Sequence, residues 1–218
     1  MASTQICLIG LLSVSFFVAC LAADSNNILD FCVADIYSHV FVNGAPCKDP
    51  KTAHADDFYF TGLDKQGNFS NPMGSKATPV YVQQIPGLNT LGLSMVRVDF
   101  APDGLNPPHT HPRASEIMTL LEGTLEVGFI GTAPDYRHFS KILNKGDVFV
   151  FPMGLLHYQR NVGKVNAVAI AALNSQNPGT SSIAPALFTS KPVLNDEIIS
   201  KTFLFDKKNV AILRSKFN

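Results

Sequence analysis

No excess of positive charge is written into this chain. Its 17 lysines and arginines are matched by 17 aspartates and glutamates, which removes the electrostatic footprint that nucleic-acid and anionic-membrane partners require. It has no glycine-rich phosphate cradle and no basic cluster, so nucleotide chemistry has no support. Linkers, low-complexity tracts and long internal repeats are missing as well. At 218 residues, 46% of them hydrophobic, the chain is long enough for one sizeable core and short for two full domains. The expectation is one folded domain with no nucleic-acid and no membrane partner.

Residues 1–22 lack any charged side chain. Their apolar stretches, Ile6 to Leu12 and Val14 to Ala19, are interrupted by serines and end in Cys20-Leu21-Ala22. Small residues there fit a cleaved signal peptide rather than a membrane anchor, with the mature chain starting near Ala23. Cys7 and Cys20 leave with that leader. Only Cys32 and Cys47 remain, and an even pair in a secreted chain reads as a disulfide, with metal thiolates as the alternative. Asn68-Phe69-Ser70 is a glycosylation sequon in a stretch rich in Gly, Asn, Pro and Ser, so Asn68 is expected at the surface.

The residues with most chemistry in them are His109, His111, Glu116 and His157. His109 and His111 are two apart, which puts both rings on one face of a strand. Glu116 follows where the chain can turn back to the same point. His157 comes from another strand, after the rigid bend Pro152-Met153-Gly154. Three imidazoles with one carboxylate are too rich in nitrogen for a calcium or magnesium cage, and they lack the thiolates common in closed zinc sites. The set suits octahedral manganese or iron and also admits zinc, copper or nickel. Manganese is the expected ion, with open positions for a small substrate. The other histidines, His39, His54 and His138, read as surface or structural groups.

Residues 23–75 are irregular and read as an N-terminal arm pinned by the disulfide. Strand-length pieces follow. Leu91, Leu93 and Met95 alternate with smaller neighbours in a strand running on to Phe100. Leu125, Val127 and Phe129 alternate with Glu126 and Gly128, Val148 to Phe151 is a short apolar run, and Val165 to Leu173 is rich in Val and Ala. Each piece is bounded by turn residues, which predicts an all-β sandwich or barrel over about 76–185. Phe100, Phe129, Phe149 and Phe151 are expected to line it. Beyond about residue 186 the pattern becomes helical, with Asn195 and Asp206 as N-caps and Val210, Leu213 and Phe217 at helical spacing. That stripe must be covered by the barrel or by a neighbouring subunit.

The four metal-type residues lie in two motifs that resemble those of the cupin superfamily. His109, His111, Glu116 and Gly123 fit the first, although Asp103 stands where its opening glycine belongs, with Gly104 beside it. Gly146, Pro152, Gly154, His157 and Asn161 fill the second. The segments Phe31 to Asp35, Pro107 to Ala114 and Asn174 to Gly179 narrow the resemblance to plant germin-like proteins, over nearly the whole mature chain. That resemblance implies a cupin jelly-roll β-barrel with a C-terminal helical extension and Mn2+ held by His109, His111, Glu116 and His157. It also implies a glycoprotein of the apoplast or cell wall, assembled as a homo-oligomeric hexamer, a trimer of dimers clasped by C-terminal helices, with a role in plant defence.

True germins are oxalate oxidases that hold their substrate partly through two asparagines. One position matches Asn106, which also reads as a cap of the turn before Pro107-Pro108. The other holds Val96, which cannot donate a hydrogen bond, so oxalate oxidase activity is expected to be weak or absent. Superoxide dismutation needs only a redox metal with an open position, and it is the expected activity. A receptor, binding or structural cupin without catalysis is the alternative. Arg113 is expected to be a structural ion-pair partner, and Lys145-Gly146-Asp147 a tight turn.

Overall fold

The described residues lie mostly in two five-stranded antiparallel sheets packed face to face, with strand orders β1-β2-β9-β4-β7 and β10-β3-β8-β5-β6. In chain order the strands are β1 (Ser75–Val80), β2 (Ser94–Phe100), β3 (Leu105–Thr110), β4 (Glu116–Glu122), β5 (Thr124–Ile130), β6 (His138–Asn144), β7 (Val148–Phe151), β8 (Leu156–Asn161), β9 (Ala167–Leu173) and β10 (Ser181–Ser182). Three helices follow: α1 (Ile183–Phe188), α2 (Asp196–Phe203) and α3 (Lys207–Ser215). This computed structural model describes residues 29–40 and 42–217. The expected leader at 1–22 lies outside them. No described helix is long and apolar enough to cross a membrane.

The core fills the space between the sheets. Phe100, Met118, Leu120, Leu125, Val127, Phe151, Ala167, Ala169 and Ala171 are all buried there, and Phe129 and Phe149 pack against them. The four phenylalanines expected as barrel lining therefore occupy that role. Alternation accounts for β5, where Leu125 and Val127 point in and Glu126 points toward solvent. In β2 the alternation continues through the strand, with the facing that the lining role expected of Phe100 requires. Ser94, Val96, Val98 and Phe100 point inward, whereas Leu91, Leu93 and Met95 are exposed. The strand also begins only at Ser94. A period of two fixes the alternation but not which set faces the core, and Phe100 with Val98 outweighs the leucines.

Cys32 and Cys47 form a disulfide with Cα atoms 4.8 Å apart. It closes a loop within the arm, and Asn89 of the β1–β2 connection ties that loop down: this fully buried amide donates to Cys32 Sγ at 3.2 Å and to the Ala45 carbonyl at 2.7 Å. Arg97 of β2 extends the anchoring: it pairs with buried Asp99 and donates to the Leu63 carbonyl at 2.8 Å. The cysteines are 15 positions apart, and closing a loop of that size is worth about 3 kcal/mol in the chain-entropy model. The double variant Cys32→Ser/Cys47→Ser is expected to lose roughly that much stability in urea unfolding. A midpoint equal to that of the wild type would show that the arm is held by its hydrogen bonds alone.

The C-terminal helices begin at Ile183, slightly before the expected boundary of about 186. They build a small core of their own from Phe188, Ile199 and Val210, with Leu187, Leu194 and Leu213 packed against it. Asn195 caps α2 by accepting from Glu197 N–H at 2.8 Å. Asp206 occupies the same position before α3 without a side-chain cap. Arg214 ties the trio together through Asp196 at 2.8 Å and the Phe188 carbonyl at 3.1 Å.

Candidate metal centre

His109 and His157 are directly opposed across the β3–β8 pair, with ring centroids 4.2 Å apart. The register of that pair shifts between Asn106 and His109. Pro107 and Pro108, which have no N–H to give the ladder, occupy the shift, and such an irregularity re-aims the side chain that follows. His111 lies one residue past the end of β3. The turn through Pro112 and Arg113 then carries the chain to the other sheet, where Glu116 opens β4. The four side chains named from the sequence thus come from both sheets and meet inside the barrel. One ligand-type atom from each lies within 4.8 Å of all the others, and all four residues are buried.

Each ring has its Nδ1 proton committed. His109 Nδ1 donates to the Pro107 carbonyl at 2.8 Å, His157 Nδ1 to the Leu155 carbonyl at 2.8 Å, and His111 Nδ1 to the Gly179 carbonyl at 2.6 Å. A carbonyl can only accept, so each Nε2 is left to face the centre with a lone pair. His157 Nε2 is buried and has no hydrogen-bond partner. Its distance to Glu116 Oε2, 3.6 Å, is too long for one. His111 Nε2 stands 3.0 Å from the same oxygen. A lone pair facing a carboxylate at that distance needs either a proton or a cation between them.

The electrostatics agree with that requirement. Burial acts to raise the Glu116 carboxyl, but the hydrogen bond with His111 and the neighbouring His157 ring outweigh it and hold the group at about 2. Burial pushes His109 down to about 4, helped by the adjacent His157. Burial acts to lower His111 too, yet the contacts with Glu116 and the Gly179 carbonyl leave it raised. The result is a charged carboxylate beside imidazoles, in a pocket floored by Phe151, whose ring stacks on His157 at 4.7 Å. These donors fit a divalent transition metal: three imidazole nitrogens and one anionic oxygen converge, and the His157 Nε2 among them has no other partner.

Sequence reasoning missed two residues at this centre. Gln159 lies two positions beyond His157 and shares its inward face; it is fully buried, and its Nε2 has no partner. Its Oε1 accepts from Asn106 Nδ2 at 2.7 Å, so Asn106 turns into the barrel and caps no turn. Strand periodicity from His157 would have flagged Gln159. Gly179, which holds His111, is too distant in sequence to be flagged. Arg113 forms no ion pair among the described residues, contrary to expectation, and donates instead to the Asn177 carbonyl at 2.8 Å. Asn161 braces a turn by donating to the carbonyls of Ala101 and Val165. Lys145-Gly146-Asp147 is the expected turn, with Asp147 accepting from Asn144 N–H at 2.8 Å. His138 contacts Tyr158 Oη at 3.1 Å and is not among the four converging residues.

The Cupin family model matches residues 61–211. The chain is 57% identical over 199 residues to germin-like protein 8-2 of Oryza sativa subsp. japonica, covering 90% of each. It belongs to the germin-like proteins of the cupin family. Germin-like protein subfamily 1 member 7 of Arabidopsis thaliana is 56% identical over 206 residues, covering 94% of this chain and 89% of the relative. Among solved structures, recombinant oxalate oxidase in complex with glycolate superposes with a TM-score of 0.86 at 43% identity, covering 89% of this chain and 98% of that one. In this germin-like chain, as expected, a jelly-roll barrel carries C-terminal helices and encloses a cluster of three histidines and one glutamate that could bind a metal.

Proposed function

We propose that this germin-like protein is a secreted, manganese-binding oxidoreductase of the plant cell wall that dismutates superoxide and releases hydrogen peroxide, with a role in defence. The observation that carries the reading is the committed Nδ1 proton on all three rings, which aims three Nε2 lone pairs and the Glu116 carboxylate at one point. The chemistry a bound manganese would supply is a one-electron couple, by which two superoxide ions and two protons become dioxygen and hydrogen peroxide. His109, His111, Glu116 and His157 would hold the ion. Their burial keeps bulk water and larger reductants away.

Oxalate is the less suitable substrate. Val96 is buried on the inward face of β2 and offers no hydrogen bond. Losing one donor to a charged ligand costs about 1.5–3 kcal/mol, over tenfold in affinity. Asn106 is the substrate contact retained in this reading, poised by its bond to Gln159.

The remaining features fit an extracellular oligomer. Residues 1–22 act as the leader. Asn68 is exposed, and its side chain accepts from Ser70 N–H at 2.9 Å, so the sequon is open to a glycan. Across the outer face of the first sheet, Met95, Ala172, Ile117 and Val150 form one exposed, uncharged row. Ile198 and Ile212 are exposed on the helices. A hexamer built as a trimer of dimers would cover both surfaces.

Secreted protein purified from a plant host tests the reading in one preparation. Elemental analysis is expected to find manganese near one ion per chain. A gel stain should show superoxide scavenging that chelator abolishes, while oxalate turnover stays near background. Light scattering should report a hexamer, and mass spectrometry a start near Ala23 with glycan on Asn68. Scavenging that survives in metal-free His109→Ala/His111→Ala protein would rule out the proposed chemistry. Protein with neither metal nor scavenging would favour a binding or structural cupin.

A further inference from the structure

The three imidazoles are not held in the same way. His109 and His157 each give their Nδ1 proton to a carbonyl only two residues back in the chain, so their orientation follows from local backbone alone. His111 stands past the end of β3, and its proton goes to Gly179, 68 positions away. The setting of that ring therefore depends on where the segment 174–179 lies.

Arg113 governs that segment. Its Nε donates to the Asn177 carbonyl at 2.8 Å and its backbone N–H to the Pro178 carbonyl at 3.2 Å. Its guanidinium then lies flat against Gly179: a Cβ added there would fall 2.8 Å from Nη2 and 3.1 Å from Cζ. Gly179 has φ +69°, in the left-handed region that favours glycine, and its bare Cα leaves room for the guanidinium to sit this close. Asn174 completes the clamp by accepting from Ser115 N–H at 2.8 Å. On the other side, Gly154 N–H donates to the His111 carbonyl at 3.0 Å, which fixes the backbone but not the ring.

We infer that Arg113 is a positioning residue for the metal centre, which sets the tautomer and orientation of His111 by clamping the Asn177–Gly179 backbone whose carbonyl receives the His111 Nδ1 proton. Groups that orient a ligand from behind are worth about 10–100-fold in metal affinity. Arg113 touches neither metal nor substrate here, and it reaches the centre only through Gly179. This inference rests on the reading of the four residues as a metal site, but its first test does not.

That test is a long-range nitrogen–proton correlation spectrum of the metal-free protein at mildly alkaline pH, in wild type and in Arg113→Met. The methionine keeps an apolar stem and removes the donors. Wild-type His111 is expected to show a single, protected Nδ1–H bonded to Gly179, whether or not Nε2 also carries a proton toward Glu116, and Arg113→Met should weaken or scatter that Nδ1–H signal while His109 and His157 stay as they were. Manganese affinity, followed by the resonance of free Mn2+, should fall about 10–100-fold in Arg113→Met. Arg113→Lys keeps the charge and one donor but not the flat contact with Gly179; it is expected to fall between the two and carries the same measurements should the methionine variant not fold. An unchanged His111 spectrum in the variants overturns the inference, as does an equal disturbance of all three rings, which would mean general loosening. Wild-type protein that binds no manganese would sink the metal reading, while the Nδ1–H measurement still judges Arg113.

Discussion

Glu116→Gln is expected to cost about 100-fold or more in manganese affinity while leaving the barrel folded, a larger loss than that from groups that merely orient ligands. Glutamine matches glutamate in size and still presents an oxygen, so the packing at this buried position is kept. What disappears is the only negative charge among the four converging side chains. Inside the barrel that charge acts on a dication with little solvent screening, where Coulomb attraction is several times stronger than in water. The metal-free protein should tolerate the change, because the same substitution removes the carboxylate that calls for a proton on His111. Calorimetric titration with Mn2+ and a thermal melt of the metal-free variant measure the two effects separately. Affinity within a few fold of wild type would mean that Glu116 does not ligate, and superoxide scavenging retained without metal would remove the proposed chemistry altogether.

Acid is expected to destabilise the metal-free protein well before general carboxylate titration. His109 is held at about 4 in the fold against an ordinary 6.5. As pH falls through 6.5 the unfolded chain takes up a proton that the folded chain refuses until about 4, so this stability is complete above 6.5 and is lost on the way down. The size is about 3 kcal/mol, or roughly 10 °C in melting temperature for a chain of this length. Glu116, held at about 2 against 4.5, acts in the same direction over a lower window: its contribution is complete above 4.5 and is lost as pH falls toward 2. His111 is raised and works oppositely, adding stability below 6.5 that is lost as pH rises through its folded value. The net expectation is a melting temperature that falls between about pH 7 and pH 4.5, and falls less in His109→Asn. Equal melting temperatures at the two pH values would contradict the buried, neutral state of His109. Manganese should widen the difference, since protons compete with the ion for the same lone pairs.

Much of the centre was legible before any coordinates. The two-residue spacing of His109 and His111, the turn to Glu116 and the bend before His157 specify directions, and in the fold those directions converge. The cysteine pair, the cap at Asn195 and the helix start at Asp206 were legible for the same reason, because each expresses local geometry or parity. Where a pattern has two solutions, the fold chooses between them. Alternation around Leu93 and Met95 is equally satisfied by either facing of β2, and only the demand for Phe100 in the core selects one. Arg113 reads as an ion-pair partner by its charge, but among the described residues it pairs with no carboxylate and donates to a backbone carbonyl instead.

The sequence by itself determined which side chains could serve a metal, that the chain would be mostly strand with helices at its end, and that the cysteines would pair, because these depend on residue type and on periods of a few residues. Only the tertiary structure decided that Gln159 carries an unpaired buried amide beside Asn106, that the row from Met95 to Val150 faces outward, and that His111 is oriented by Gly179. Those facts depend on which strands become neighbours and on where a loop 68 positions away comes to rest, and no local spacing encodes either.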